Sequence, residues 1–213
     1  MNNSKKIEGF VLAGGKSSRM GEPKAEMQWG GSSFIDRAAA SLSAIGGENV
    51  FVVGGPIGVA HGLHVFDDIL PPMDREARGG AIVGLHTALS VARSDWIALL
   101  ACDMPFVSRE FLEKLYAIDR NGFDAVVPVQ QDGTLQPLCA LYSCETCLPA
   151  VIESMNGGDH SMRSLLKRVN TRFVTFYEFA KLENANRLFF NVNSPEDYKT
   201  AKKLLQQQHI GDL

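Results

Sequence analysis

Two stretches of this chain are apolar without alternation. Residues 7–13 read IEGFVLA and residues 95–103 read DWIALLACD. A strand with one wet face alternates apolar and polar residues; a strand covered on both faces does not. Both stretches are therefore read as buried strands, and each ends in residues able to do chemistry: Gly14-Gly15 after the first, Cys102-Asp103 at the end of the second. Helical segments separate the strand signals. Residues 34–45, FIDRAAASLSAI, form an Ala-rich helix stopped by Gly46-Gly47. NVFVVGG and HVFDD (64–68) read as short strands, and GAIVGLHTALSVAR (80–93) as a helix. Ser108 caps REFLEKLYAIDR, which Gly122 is expected to end. This alternation predicts an α/β fold: a doubly wound, mostly parallel sheet with helices on both faces. Ligands of such sheets bind at the carboxyl ends of the strands.

The second half is less regular. DAVVPV, LQPLCALY and RFVTFYEF read as strands, some of them antiparallel, with helices near 145–155 and 161–169. The chain closes with FFNVNSPEDYKTAKKLLQQQ, where Ser194 is an N-cap, Pro195 suits the first helical position, and Glu196 and Asp197 favour the positive helix end. No linker or internal repeat interrupts the 213 residues, so residues 1–213 are expected to form one domain.

Charge and composition exclude several classes. A net charge of −3 gives no basic surplus for nucleic acid or an anionic membrane. No stretch reaches the roughly 18 apolar residues of a membrane helix, and the polar MNNSKKIEGF carries no apolar signal-peptide core. A cytoplasmic protein is expected. Among the four cysteines, only Cys144 and Cys147 stand at metal-like or redox-like spacing. A zinc site wants a second such pair, so the two are read as thiols at the start of a helix.

The loop after the first strand carries the chemistry. VLAGGKSSRMGEPKAEM contains Gly14-Gly15-Lys16-Ser17, which imitates the end of a phosphate-binding P-loop. That motif needs glycine at position 10, which is Phe10, and Lys16 stands where a G-x-G-x-x-G motif wants its second glycine. What remains is a tight turn whose amides form an anion nest. Lys16, Arg19 and Lys24 follow as three cations, with no acid before Glu22. A triphosphate matches that charge, and Arg19 could grip it through two hydrogen bonds. Asp103 supplies a carboxylate at the same sheet edge. Mg²⁺ takes one or two carboxylates together with phosphate oxygens.

In order, L-A-G-G-x-S-x-R-M-G-x-x-K, C-D-M-P-F, Q-P-L-x-A-L-Y and N-V-N-S-P-E-D resemble the nucleotidyltransferases of the Rossmann-like pyrophosphorylase type. The likeness is greatest to the molybdenum cofactor guanylyltransferase family and runs from Val11 to Asp197. It implies that Leu12, Ala13 and Gly14, with the Gly15 turn, hold the base and phosphates of GTP through backbone atoms. Lys24 would sit on the α-phosphate and Arg19 near the β- and γ-phosphates. Asp68 would contact the nucleoside, and Asp103 would be the Mg²⁺ ligand. Asn191 and Asn193 would present a second polar group to the metal or acceptor, and Gln136 and Pro137 would line the acceptor pocket. The acceptor implied is molybdopterin, with molybdoenzyme-maturation proteins as further partners.

The family's glycine-rich turn reads G-P-L-x-G-L; here Ala81 replaces the proline in Gly80-Ala81-Ile82-Val83-Gly84-Leu85. The charged stretch before it, ILPPMDREARGG, is read as a flap over the nucleotide. His160 and Arg163 are a weaker pair of acceptor-phosphate candidates. Two alternatives stay open within the enzyme class: a cytidylyltransferase on molybdopterin, and a nucleotidyltransferase acting on a sugar or alcohol phosphate. A third is a nucleotide-sensing module without catalysis, which loss of Asp103 or Lys24 would have marked.

Overall fold

A computed structural model describes residues 7–14, 27–29, 31–55, 62–70 and 80–210, with side chains as far as Gln206. Gly15, Lys16, Arg19, Lys24 and residues 71–79 of the expected flap at 69–80 lie outside the described residues.

The first buried strand is β1 (Ile7–Leu12), and every residue of it is buried. It sits at the centre of the sheet, parallel to β4 (Val50–Val53) on one side and to β6 (Trp96–Ala101) on the other. β5 (His64–Phe66) extends the sheet beyond β4, also in parallel. A short antiparallel pair, β2 (Gln28–Trp29) and β3 (Ser32–Ser33), precedes α1 (Phe34–Gly46). The charged Glu8 inside β1 is accounted for by its partners. Its carboxylate accepts from the backbone amides of Arg93 and Ser94 and from the Ser94 hydroxyl, which ties β1 to the connection before β6.

Beyond β6 the order of strands breaks from the order of sequence. β8 (Cys139–Ser143) pairs antiparallel with both β6 and β7 (Ala125–Pro128), and β7 pairs in parallel with β9 (Thr171–Val174). The seven-stranded order is β5-β4-β1-β6-β8-β7-β9, with β8 alone reversed among the described strands. The reversal has a local cause. The chain from β7 to β8 turns back at Gln130–Thr134 without a crossover helix, and a parallel return would need one. Tyr142 on β8 is fully buried, and its hydroxyl donates to the Pro137 carbonyl at 2.7 Å.

Each face carries its own core. Ile7 and Val11 pack toward α1, α3 (Arg109–Tyr116) and the segment 185–192, while Phe10 and Leu12 pack toward α2 (Ala81–Val91), α4 (Cys144–Asn156) and α5 (Met162–Arg168). That is the doubly wound arrangement expected from the apolar strands. Three boundaries differ from the sequence reading. α3 ends at Tyr116, well before Gly122. RFVTFYEF is strand only to Val174, because Thr175 and Glu178 form a capping box that opens the short helix α6 (Phe176–Phe179). LQPLCALY becomes strand only from Cys139. The last helix, α7 (Pro195–Ile210), starts where expected, with the Ser194 hydroxyl accepting from the Asp197 amide.

Candidate active site

β1, β4, β5 and β6 end along one edge, and among the described residues Leu12, Ala13, Gly14, Asp68 and Asp103 lie at or just beyond those ends. The ladder runs past the strand ends: Ala13 N–H donates to Val53 O, Gly54 N–H to Phe66 O, and Cys102 N–H to Leu12 O, each at 3.0 Å. Leu12, Ala13 and Gly14 are thereby fixed between the ends of β4 and β6. Gly14 meets Gly54 at a distance that excludes a side chain. A Cβ built on Gly14 would lie 2.7 Å from the Gly54 carbonyl oxygen. Gly54 itself has a φ of +69°, and a Cβ there would lie 2.9 Å from Asp68 Oδ1. Two glycines are required at this crossing, one for space and one for conformation as well.

Asp68 lies against that crossing. Its carboxyl is raised above the ordinary carboxylate range, first by partial desolvation and then by the neighbouring charge of Asp67. The segment that carries it is clamped by α2. Thr87 Oγ accepts from Ile69 N–H at 2.8 Å and donates to Val83 O at 3.0 Å. His86 Nδ1 stands 2.8 Å from Ile69 O, and since a carbonyl can only accept, Nδ1–H is the donor. Both main-chain groups of Ile69 are thus held by one helix.

Asp103 follows β6, and its Oδ1 is shut off from solvent. The loop around it is fixed from three sides. Val192 N–H donates to Asp103 O at 2.9 Å, Arg37 Nε donates to Pro105 O, and Ser41 Oγ donates to Val107 O at 3.0 Å. Burial lowers the pKa of Arg37. The first contact places Asn191 and Asn193 on either side of the residue that touches Asp103. Gln136 and Pro137 come to the same edge, because the reversed β8 begins there, with Cys139 opposite Leu100. Arg37, Ser41 and Thr87 were not singled out from the sequence. The available signal was a basic residue and hydroxyls within otherwise apolar helices.

Other candidates separate from this edge. His160 and Arg163 are exposed near the start of α5. Cys144 and Cys147 occupy the first turn of α4, as expected. Burial pushes their thiols up to about 11 and about 12, with neighbouring carboxylates adding to the effect. Among the described residues no group of three His, Cys, Asp or Glu could hold a metal ion. No described helix is long and apolar enough to cross a membrane.

Known proteins share this arrangement. The MobA-like NTP transferase domain matches residues 9–173, most of the chain, from within β1 to within β9. The chain belongs to this family of nucleotidyltransferases. A relative from Pelotomaculum thermopropionicum, named "Probable molybdenum cofactor guanylyltransferase", is 33% identical over 205 residues, covering 95% of each chain. One of the same name from Bacillus anthracis is 32% identical, covering 95% of this chain and 99% of its own. Among solved structures, molybdopterin-guanine dinucleotide biosynthesis protein A from Archaeoglobus fulgidus superposes with a TM-score of 0.77 at 25% identity, covering 94% of this chain and all of its own. The 2-C-methyl-D-erythritol 4-phosphate cytidylyltransferase of Thermus thermophilus, at 17% identity and a TM-score of 0.62, shares the fold.

Proposed function

We propose that this nucleotidyltransferase transfers GMP from GTP to the terminal phosphate of molybdopterin and releases pyrophosphate. The observation that carries the reading is the single edge on which Gly14, Asp68, Asp103 and the Asn191–Asn193 turn converge. The names of its full-length relatives supply the nucleotide and the acceptor.

The nucleophile in this reaction belongs to the acceptor. Its phosphate oxygen attacks the α-phosphorus of GTP, the bond to the β-phosphate oxygen breaks, and pyrophosphate leaves with those electrons. The protein has to hold two polyanions together and offset charge that moves onto the leaving group. The backbone at Leu12–Gly14 takes the nucleoside side, with Asp68 beside it. In this reading Gly15 and Lys16 add amide and charge to the phosphates, Lys24 faces the α-phosphate, and Arg19 grips the β- and γ-phosphates. Asn191 and Asn193 orient the attacking phosphate.

The residues present fit Mg²⁺. Asp103 offers a hard carboxylate oxygen next to the Asn191–Asn193 turn, the donor type of an ion that binds through one or two carboxylates and substrate phosphates. Asp103 would hold the ion, with Asn191 and Asn193 as neighbouring polar groups. When bound, Mg²⁺ supplies charge neutralisation between the reacting phosphates.

The choice of base is tested by competition. GTP and CTP are offered together with molybdopterin and Mg²⁺, and the two dinucleotide products are separated and weighed. GTP should be preferred at least about fivefold in kcat/KM, since one unmade buried hydrogen bond costs about 1–3 kcal/mol and 1.36 kcal/mol is a factor of ten. Equal use of CTP would contradict the guanylyl reading and favour the cytidylyl alternative.

A further inference from the structure

A second concavity on the same sheet edge has no assigned role. Gln130, Gln131 and Asp132 follow β7, Phe176 follows β9, and Asn186 and Phe189 come from the segment that leads to Asn191. Together they line a cavity of about 230 Å³. β7 and β9 are parallel to each other, and β7 runs with β6 because both are antiparallel to β8. The cavity therefore opens on the edge that carries Asp103.

It is also close to Asp103. Phe189 is three residues before Val192, whose amide is 2.9 Å from the Asp103 carbonyl. Three residues of chain reach ~10–11 Å at most. The Asn191 side-chain Nδ2 donates to Phe189 O at 3.3 Å, so this connection folds back on itself. A ligand with a phosphate at Asp103 and a ring in the cavity would be about as long as a fused tricyclic system with a phosphate on a one-carbon arm. Ligand pockets commonly measure ~300–1,000 Å³. The smaller volume here suits one flat ring end of such a molecule.

The lining matches the 2-amino-4-oxo-pyrimidine edge, which a pterin shares with guanine. Phe176 and Phe189 offer aromatic surface, and Phe189 is held by ring contacts to Phe111 and Phe179. The Thr134 amide and hydroxyl hold the Asp132 carboxyl below the ordinary carboxylate range. Its Oδ1 accepts from Thr134 N–H at 2.9 Å, so the side chain is oriented by its own turn. A carboxylate pairs with two adjacent N–H donors. The amide groups of Gln130, Gln131 and Asn186 offer both donors and acceptors beside it. A 2-amino-4-oxo-pyrimidine edge presents that pattern: two neighbouring N–H donors and a carbonyl.

We propose that this cavity binds the pterin ring of the acceptor, with Asp132 reading its 2-amino edge and Asn186 its remaining polar rim. The proposal rests on the molybdopterin reading above. It assigns acceptor recognition to side chains that follow β7 and precede the Asn191–Asn193 turn, apart from the nucleotide residues.

The test uses the whole chain, GTP, Mg²⁺ and molybdopterin. Asp132→Asn keeps an oxygen for the Thr134 cap but replaces the second acceptor with a donor, so the fold is retained. Its KM for molybdopterin should rise at least tenfold while its KM for GTP stays within twofold. Asn186→Ala should shift the same constant in the same direction. Unsubstituted pterin, which has no phosphate, should inhibit competitively against molybdopterin and not against GTP. An active wild type whose two variants keep their KM for molybdopterin overturns the cavity assignment alone. A wild type that transfers nothing to molybdopterin, yet transfers to another phosphate acceptor, overturns both the acceptor reading and this assignment.

Discussion

At the scale of single residues, the Gly14–Gly54 crossing is the tightest point of the site. Gly14→Ala would push a methyl group against a main-chain oxygen that cannot swing away. Overpacking of this kind costs ~1–3 kcal/mol. For a domain of this size 1 kcal/mol moves Tm by ~2–4 °C. A drop of several degrees by calorimetry, together with weaker GTP binding, is the expected outcome; an unchanged Tm would contradict the contact. Asp68 behaves oppositely. Its carboxyl is raised in the folded state, so folding favours the proton. The resulting loss of stability is absent below the ordinary carboxylate pKa of about 4 and complete above the folded value. Asp68→Asn removes that loss. At pH 7 the variant should melt at or above the wild-type temperature, and the difference should vanish near pH 3. Its affinity for GTP should fall in the same protein. Lower stability of the variant at pH 7 would show that the carboxylate is favourably held, against this account.

At the scale of elements, α2 packs on Leu12 at the end of β1 and also holds the segment after Asp68 through Ile69. Thr87→Val keeps the shape and removes the hydroxyl that holds Ile69 N–H. A neutral hydrogen bond contributes about 0.5–1.5 kcal/mol, so the KM for GTP should rise roughly two- to tenfold, since 1.36 kcal/mol is a factor of ten. kcat should change little, and Thr87→Ser should restore the wild-type value. Steady-state kinetics on the three proteins decides it: an equal loss in kcat, or no rescue by serine, would rule out a positioning role. Such a clamp is hard to read from sequence. A threonine in an apolar helix looks the same whether its hydroxyl turns back to its own helix or reaches a loop, and Thr87 does both. Strands and caps were more legible. The unbroken apolar runs placed β1 and β6, and Ser108 and Ser194 marked their helices, because those signals are local. The insertion of β8 between β6 and β7 depends on pairing between distant segments. No local pattern in LQPLCALY specifies which neighbours it takes.

At the scale of the whole molecule, one sheet edge brings together Gly14, Asp68, Asp103 and the Asn191–Asn193 turn. The places of Asp103 and Gly14 at the sheet edge were legible because chemistry-capable residues at the carboxyl ends of buried strands have few structural reasons to be there, whereas the contact of Gly14 with Gly54 was not. The cavity between the β7 and β9 ends was not legible. Its walls come from three segments separated by up to 59 positions, Gln130 to Phe189, and none of them carries a motif alone. One measurement bears on the central claim most directly. GTP labelled at its α-phosphorus is incubated with the protein, Mg²⁺ and molybdopterin, and both the labelled product and the pyrophosphate are counted. The account predicts label in a guanine dinucleotide of molybdopterin, one pyrophosphate per labelled product, and a loss of at least a hundredfold in rate for a folded Asp103→Ala variant, on the order of removing one electrostatic stabiliser. Label that remains in GTP, or product formed at the normal rate by Asp103→Ala, would contradict it.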